Sequence, residues 1–308
     1  MFGELIESNL NPDQTGREKH SYRLALPFFW MTIMRRAPCL FWLLCLLWLT
    51  GCASMTPQPS ATATALLEAQ LSAMPAKAEQ PKVYGLSIAG YAWPEVFGNE
   101  ARHASATLAT RYGAEDAQVL LSNDPGDRER YPQANLDTLE RALRGIGARM
   151  DPQRDVLMLY MVSHGQQDGS VLLKQPGRAG EALSPTWLKT TLGKAGIKYV
   201  MLAVSACFSG SFVNAFLYDP DALVLSASRS DRVSFGCSVR DDYTFFGKAL
   251  LVDQDTRHLD WPALFLTVSD KVAAREKEIG EKIGSVPQIH FGNALQDHLL
   301  QAGLRPGK

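Results

Sequence analysis

The chain has 308 residues, of which 46% are hydrophobic and 20% are charged, and its formal net charge is −1. This composition is typical of an ordinary globular protein with one large domain or two small ones. It excludes a strongly basic surface of the kind that binds nucleic acid, so the elements and motifs along the chain decide the function.

The first distinct segment is a short apolar run behind two basic residues. Arg35 and Arg36 precede an uncharged core, Cys39 to Leu49, that is followed by Gly51 and Cys52. A positive flank, a short apolar core and small residues at a cleavage site are typical of a secretory signal peptide. The core is too short to span a bilayer, which takes about 20 residues. The alternative is a buried helix with a chance cysteine.

Leu49-Thr-Gly-Cys52 resembles the bacterial lipobox, whose cysteine carries lipid and becomes the mature N-terminus. By this resemblance, residues 1–51 are the signal peptide, with a true start near Met31 or Met34, and Cys52 is the lipidation site. The resemblance implies a protein of the bacterial cell envelope that a lipid anchor holds in a membrane. The same resemblance implies the outer membrane, with the protein facing the periplasm, because no aspartate follows the cysteine.

The next two segments differ in composition. Residues 52–80 are rich in Ala, Ser, Thr, Pro and Gln, which predicts a flexible tether. Residues 81–308 contain no second linker and no internal repeat, which predicts one folded domain. Outside the signal peptide and the lipidation site, the cysteines are Cys207 and Cys237, and in an oxidising compartment they could form a disulfide.

Strand-like and helix-like segments alternate along the folded part. Apolar runs predict strands at 83–89, 117–121, 156–162, 199–204, 222–225 and 287–291. Caps and apolar spacing predict helices from Asn99 to near Gly113, behind Asn135, after Ser184-Pro185, and at 245–252, 262–276 and 295–300. This alternation predicts an α/β fold with a mainly parallel sheet covered on both faces, which fits the apolar interior strands.

Two of the predicted strands end in a reactive side chain near a glycine. His164-Gly165 follows one strand, and Cys207-Phe-Ser-Gly210 follows the next strand along the chain. Functional residues of parallel α/β sheets collect beyond the carboxyl ends of the strands, so we expect the two side chains to meet. A thiol beside an imidazole can attack an acyl carbon. Either residue alone is more often structural, so the pair carries the prediction.

Other reaction classes lack their motifs. The sequence has no Gly-x-Ser-x-Gly elbow of a serine hydrolase and no glycine-rich phosphate loop. His103, His164, Cys207 and Cys237 do not have the paired spacing of zinc ligands. The sequence therefore predicts neither a metal nor a cofactor.

Several motifs in this order resemble the legumain family of asparaginyl endopeptidases, which is related to the caspases. The matching segments are Ser87-Ile-Ala-Gly90, Asn99 to His103, Arg154 to Gly165, Ser205 to Ser211, and Ser234-Phe-Gly-Cys237. The resemblance implies a caspase-like three-layer α/β/α sandwich and a cysteine-type peptidase.

The catalytic roles also follow from the resemblance. Cys207 would form a thioester, His164 would act as acid and base, and the main-chain N–H groups of Gly165 and Cys207 would hold the oxyanion. The group that steadies the histidine in the family falls around Tyr91, and no residue is assigned to it.

The specificity pocket departs from the family pattern. Arg102 and His103 match the family's Arg-His pair and would face the cleft from the first helix. Ser205 and Lys248 stand where the family has acidic pocket residues, and a family serine falls on Val233. A more positive pocket weakens the preference for asparagine at P1, the residue before the cleaved bond, and leaves the choice between asparagine and aspartate open.

The sequence is consistent with three activities. The first is an endopeptidase acting on a peptide or protein. The second is a transpeptidase or transamidase that uses the same acyl-enzyme, and the third is a non-catalytic lipoprotein that serves as a binding module. The sequence predicts no nucleic-acid partner and leaves the oligomeric state and zymogen processing open.

Overall fold

The computed structural model describes residues 61–77, 79–253 and 260–304, and the predicted signal peptide and Cys52 lie outside the described residues. Six strands form one sheet, and a short hairpin forms a second sheet. The strands are Val83–Ala89 (β1), Gln118–Ser122 (β2), Val156–Val162 (β3), Val171–Leu173 (β4), Glu181–Leu183 (β5), Tyr199–Ser205 (β6), Ala222–Ser226 (β7) and Gln288–Phe291 (β8).

Helices fill most of the connections. They are Ala61–Ala73 (α1), Val96–Tyr112 (α2), Leu136–Gly147 (α3), Pro185–Lys194 (α4), Gly210–Phe216 (α5), Phe245–Gly247 (α6), Trp261–Glu278 (α7) and Asn293–Gln301 (α8), with a 3₁₀ turn at Pro125–Asp127 and a π-helical turn at Lys248–Val252. None of the described helices has the length and apolar character that crossing a membrane requires.

The main sheet has the order β2-β1-β3-β6-β7-β8, and only β8 runs antiparallel to its neighbour. β3 and β6 lie side by side with Val162 opposite Ser205. Each of these residues is two positions before a member of the predicted pair. The register therefore places His164 and Cys207 at the same edge of the sheet.

Two separate cores cover the two faces of the sheet. Leu159 of β3 belongs to the core that includes Leu67 of α1 and Leu139 of α3. Tyr160, the next residue, belongs to the core that includes Phe97 of α2. Successive strand residues point to opposite faces, so the apolar runs supply both cores. The predicted α/β/α architecture with a mainly parallel sheet is confirmed.

The first helix corrects the prediction of a flexible tether over 52–80. α1 buries Leu67 and Leu71, which are one helical turn apart, in the core beneath β2. The Gln70 side chain accepts a hydrogen bond from the Leu120 N–H at 2.7 Å and donates to the Leu120 carbonyl at 3.3 Å. It therefore covers part of the open edge of β2. Residues 61–73 belong to the folded domain, because their leucines have a core to pack against.

The start of α2 and the segment after residue 244 also differ from the predictions. α2 begins at Val96 rather than behind an Asn99 cap, and the Asn99 side chain instead accepts a hydrogen bond from Arg102 at 2.6 Å. The predicted end is confirmed by Gly113, whose φ is 61°. The helix predicted over 245–252 is one α-helical turn that continues as a π-helical turn. The β4–β5 hairpin was not predicted from the sequence.

Candidate active site

The loops that follow β3 and β6 touch each other at Gly165 and Cys207. A Cβ atom on Gly165 would overlap the carbonyl oxygen of Cys207 and lie 3.0 Å from its nitrogen. A residue with any side chain would push the two loops apart, so glycine is required for this close approach. The structure thus brings together the histidine and cysteine loops, as the sequence predicted.

The N–H groups of Gly165 and Cys207 are available to a substrate. Gly165 is bridged to Val171, but the hydrogen bonds of that bridge run from Leu172 N to the His164 oxygen and from Gln166 N to the Ser170 oxygen. Within the described part of the chain, the N–H groups of Gly165 and Cys207 donate to no other protein group. Two free donors at the junction of the loops can bind the oxyanion that develops when a carbonyl is attacked.

Main-chain hydrogen bonds hold the cysteine loop. Phe208 has a φ of 57°, which is rare for a residue with a side chain, and its N–H donates to the Arg232 carbonyl at 2.8 Å. The Ser209 hydroxyl donates to the Ala206 carbonyl at 2.7 Å. Such backbone conformations concentrate at active sites, where the surrounding structure holds them. The loop therefore fixes the direction of the half-buried Cys207 side chain.

Ser234 contacts the Cys207 sulfur from the opposite loop. The Cys207 Sγ accepts a hydrogen bond from the Ser234 N–H at 3.3 Å, and the Ser234 hydroxyl lies 3.7 Å away. Cys207 and Cys237 are both free thiols, so the structure does not contain the disulfide that the sequence left open. Burial raises the pKa of Cys237, and the nearby Cys207 adds to the rise.

His164 packs against two aromatic rings. Its ring centroid is 4.7 Å from that of Tyr91 and 4.9 Å from that of Phe97, both edge to face. Burial lowers the pKa of His164, and a hydrogen bond to the Trp93 main chain opposes the shift. A main-chain group favours the protonated imidazole only as an acceptor, so the Trp93 carbonyl must accept the bond from the ring.

The group that orients the histidine is therefore a main-chain carbonyl. Tyr91, around which the sequence placed this role, contributes a ring contact and no hydrogen bond among the described residues. The sequence reasoning missed the Trp93 carbonyl because every residue carries one.

The predicted pocket residues Arg102 and His103 have other partners. The Arg102 guanidinium donates to Asp127 at 2.5 Å and Asp124 at 3.3 Å, the two acidic residues at the 3₁₀ turn after β2. His103 lies against Tyr243, with 3.4 Å between its Nδ1 and the tyrosine hydroxyl. Within the described chain, neither residue hydrogen-bonds to His164 or Cys207. The structure places both residues on α2.

A buried polar cluster surrounds the predicted pocket residue Ser205. Its hydroxyl lies 2.8 Å from that of Thr244, and both hydroxyls hydrogen-bond to Glu100. The fully buried Glu100 carboxylate also accepts bonds from the Tyr160 hydroxyl at 2.7 Å and the Thr244 N–H at 2.8 Å. Burial raises the pKa of Glu100. Lys248, also predicted in the pocket, is exposed at the start of the π-helical turn.

Glu100 is a site residue that the sequence reasoning missed. The resemblance placed a serine at 205, where the family has an acid. In the structure, the Glu100 carboxyl of α2 hydrogen-bonds to the hydroxyl of this serine. An acidic group therefore lies beside the position two residues before Cys207, although it comes from α2 rather than from β6. Glu100 lies within the Asn99 to His103 segment that carries the resemblance, but nothing in the sequence indicates its partners.

The fold and the site define a class of enzyme. A thiol and an imidazole at the ends of adjacent parallel strands, with two free N–H donors between them, can transfer an acyl group through a thioester. Among the described residues, no cluster of three or more His, Cys, Asp or Glu side chains could hold a metal ion.

Comparison with protein-family models narrows the class of enzyme. Residues 140–286, just under half of the chain, match the model of the Peptidase C13 family, the legumain family. The matched segment includes His164, Gly165, Cys207 and Ser234. The protein is a cysteine-type peptidase, a hydrolase that acts on peptide or protein substrates.

The chain is similar to a number of solved structures. The crystal structure of caspase-1 from Spodoptera frugiperda is similar, with 14% sequence identity and a TM-score of 0.46, over 70% of this chain and 88% of that chain. No curated protein matches the chain.

Proposed function

We propose that the protein is an endopeptidase in which Cys207 forms the acyl-enzyme and His164 moves the protons. The imidazole takes the thiol proton while Sγ attacks the peptide carbonyl carbon. When the C–N bond breaks, the imidazolium gives that proton to the departing amine, and the acyl half stays on sulfur as a thioester. Water then attacks, His164 takes its proton and returns it to sulfur, and a carboxylic acid leaves.

The observation that carries this proposal is the contact between the Gly165 and Cys207 loops. It sets two unused N–H donors beside the nucleophile, which is what a tetrahedral oxyanion needs. One such donor lowers the barrier by about 3 kcal/mol in other hydrolases. The lowered pKa of His164 supports the same roles, because a neutral imidazole can accept the thiol proton at mildly acidic pH.

We propose asparagine or aspartate as the P1 residue. The hydroxyls of Ser205 and Thr244 and the carboxyl of Glu100 form a polar cluster two residues before the nucleophile. An asparagine amide has both a donor and an acceptor for such a cluster. Aspartate would be favoured by cationic groups, for which Lys248 and Arg102 are the candidates from the sequence.

The test is a library of internally quenched peptides that vary at P1, cleaved by the wild-type protein and by Cys207→Ala and His164→Ala variants. We expect cleavage after asparagine or aspartate that both variants lose. Mass spectrometry of the wild type, quenched in acid, should show the acyl half attached to Cys207. Cleavage after lysine or arginine would contradict the P1 proposal, and full activity in Cys207→Ala would contradict the mechanism.

The same assay separates hydrolysis from transpeptidation. An added amine competes with water for the thioester, so a joined product that exceeds the hydrolysed product would make the transpeptidase the better description. If the protein has the spectrum of a folded chain but cleaves no peptide and is not alkylated at Cys207, the binding module is the better description.

We also propose that Cys52 carries the lipid anchor and that the enzyme faces the periplasm from the outer membrane. The support is the Leu49-Thr-Gly-Cys52 segment behind a short apolar core. Mass spectrometry of the membrane-extracted protein should find acyl chains on Cys52, and Cys52→Ser protein should leave the membrane fraction. Unmodified Cys52 in the wild type would contradict the proposal.

A further inference from the structure

The segment between β1 and α2 leaves one large apolar side chain uncovered. Pro94 in this segment and Phe97 in the first turn of α2 are buried, and Tyr91 is half-buried against the histidine. Trp93, in the middle, is 59% exposed. Tryptophan is among the residues that are highly buried on average, so an indole exposed in a packed segment indicates a contact surface.

Trp93 is tied to the catalytic histidine through its main chain. Its carbonyl accepts the hydrogen bond from the His164 ring that opposes the effect of burial. Tyr91 and Phe97, which flank Trp93 in the chain, both contact the His164 ring, with centroids 4.7 and 4.9 Å away. The indole therefore projects from a point directly beside the histidine. On the other side of the pair, Ser234 contacts the Cys207 sulfur.

The proposed reaction decides which half of the substrate passes Trp93. Sulfur keeps the acyl half, whereas His164 protonates the departing amine. The residue that carries this amine, P1′, must therefore lie on the histidine side of the cleft when the bond breaks. We infer that Trp93 forms the surface that binds an apolar or aromatic P1′ side chain. This inference rests on the proposed function, since it needs the thioester at Cys207.

The positive charge of a neighbouring lysine adds to the expected preference for an apolar P1′ residue. Lys174 pairs with Tyr91 in an isolated bridge, and its ammonium lies 5.9 Å from the Tyr91 ring centroid. A basic P1′ side chain would approach this ammonium and be repelled. Phenylalanine and leucine at P1′ should therefore be cleaved faster than glycine, and lysine should be the slowest. We expect roughly a tenfold difference in kcat/KM between phenylalanine and glycine, as for burial of one aromatic contact.

The experiment compares peptides that are identical except for Phe, Leu, Gly or Lys at P1′. Trp93→Ala should reduce the Phe-to-Gly ratio of kcat/KM from about 10 to about 1, and Trp93→Phe should retain most of it. Any effect that reaches the reaction through His164 changes all substrates by one factor and leaves the ratio intact. Leu266→Ala, at a residue 64% exposed on α7, is the matched control and should leave every rate unchanged.

A second readout uses the same surface after the acyl-enzyme has formed. Phenylalanine amide and glycine amide compete with water for the thioester, and the first should give more joined product in the wild type but not in Trp93→Ala. An unchanged Phe-to-Gly ratio in Trp93→Ala, or an equal loss for all four substrates, would overturn the inference while the proposed function stands. Absence of cleavage and of Cys207 alkylation in the wild type would overturn both.

Discussion

Gly165→Ala is the substitution that most directly tests the contact between the loops that follow β3 and β6. The new Cβ would overlap the Cys207 carbonyl oxygen, so the loops must separate by roughly 1.5 Å or more to reach an ordinary contact distance. A displacement of that size at an oxyanion donor removes most of its effect. We expect kcat/KM to fall about 10² to 10³-fold, which corresponds to about 3–4 kcal/mol of transition-state stabilisation.

The assay combines peptide cleavage with alkylation of Cys207 by iodoacetamide. Alkylation needs the thiolate and forms no oxyanion, so we expect Gly165→Ala to lose less than tenfold in alkylation rate. Gly193→Ala is the matched control, because Gly193 is exposed in α4 and a Cβ there would meet nothing within 4 Å. It should keep full activity and gain up to about 1 kcal/mol of stability. Wild-type kcat/KM in Gly165→Ala would refute the oxyanion assignment.

Three further substitutions test other parts of the structure. Tyr91→Ala exposes the His164 ring, so the acidic limb of the plot of kcat/KM against pH should move up toward pH 6.5. Tyr91→Phe should leave that limb in place. Identical profiles for the wild type and both variants would contradict the argument that burial lowers the pKa of His164. Glu100→Ala leaves the Tyr160 hydroxyl and the Thr244 N–H without their acceptor, so urea unfolding should show a free energy of unfolding lower by about 3–5 kcal/mol. A decrease of less than about 1 kcal/mol would contradict the contribution of this hydrogen-bonded cluster to stability. Leu67→Ala should cost about 3 kcal/mol by the same measurement, and no loss would return α1 to the status of a tether.

The pH dependence of Glu100 has a definite sign. Burial raises the pKa of its carboxyl in the folded state above the unfolded value of about 4.3. The folded state therefore holds the proton more tightly. The protonated group contributes stability below pH 4.3, and this contribution is lost as pH rises through the folded pKa. Relative to Glu100→Gln, wild-type stability should fall as pH rises above about 4.3, and a constant difference would contradict the shift.

The strands that precede His164 and Cys207 were predictable from the sequence. Val156–Val162 and Tyr199–Ser205 are buried on both faces, so they appear as continuous apolar runs of strand length. His164 and Cys207 follow these runs at equal distances, and neighbouring parallel strands bring equal positions to the same edge. Local pattern and global fold agree here, which is why the prediction succeeded.

The remaining site depends on contacts that the sequence does not mark. Glu100 meets Thr244 across 144 positions, and no pattern along the chain pairs a single glutamate with a single threonine. The Trp93 carbonyl carries no residue signature at all. Leu67 and Leu71 recur at helical spacing, but they lie among Ala, Thr and Ser residues whose composition suggested a tether. In each case tertiary contacts, rather than local preference, decide the structure.

The packing of α1 limits how far the proposed lipid anchor would let the enzyme reach from a membrane. With Cys52 as the proposed lipid-bearing residue, only nine residue steps separate the anchor from Ala61, the first residue of a helix that is fixed to the core. A fully extended chain of that length spans at most about 30 Å, which is less than the diameter of the catalytic domain itself. An enzyme on so short a linker would cleave proteins that lie at the bilayer surface or are brought to it. Proteins in most of the surrounding compartment would be out of its reach.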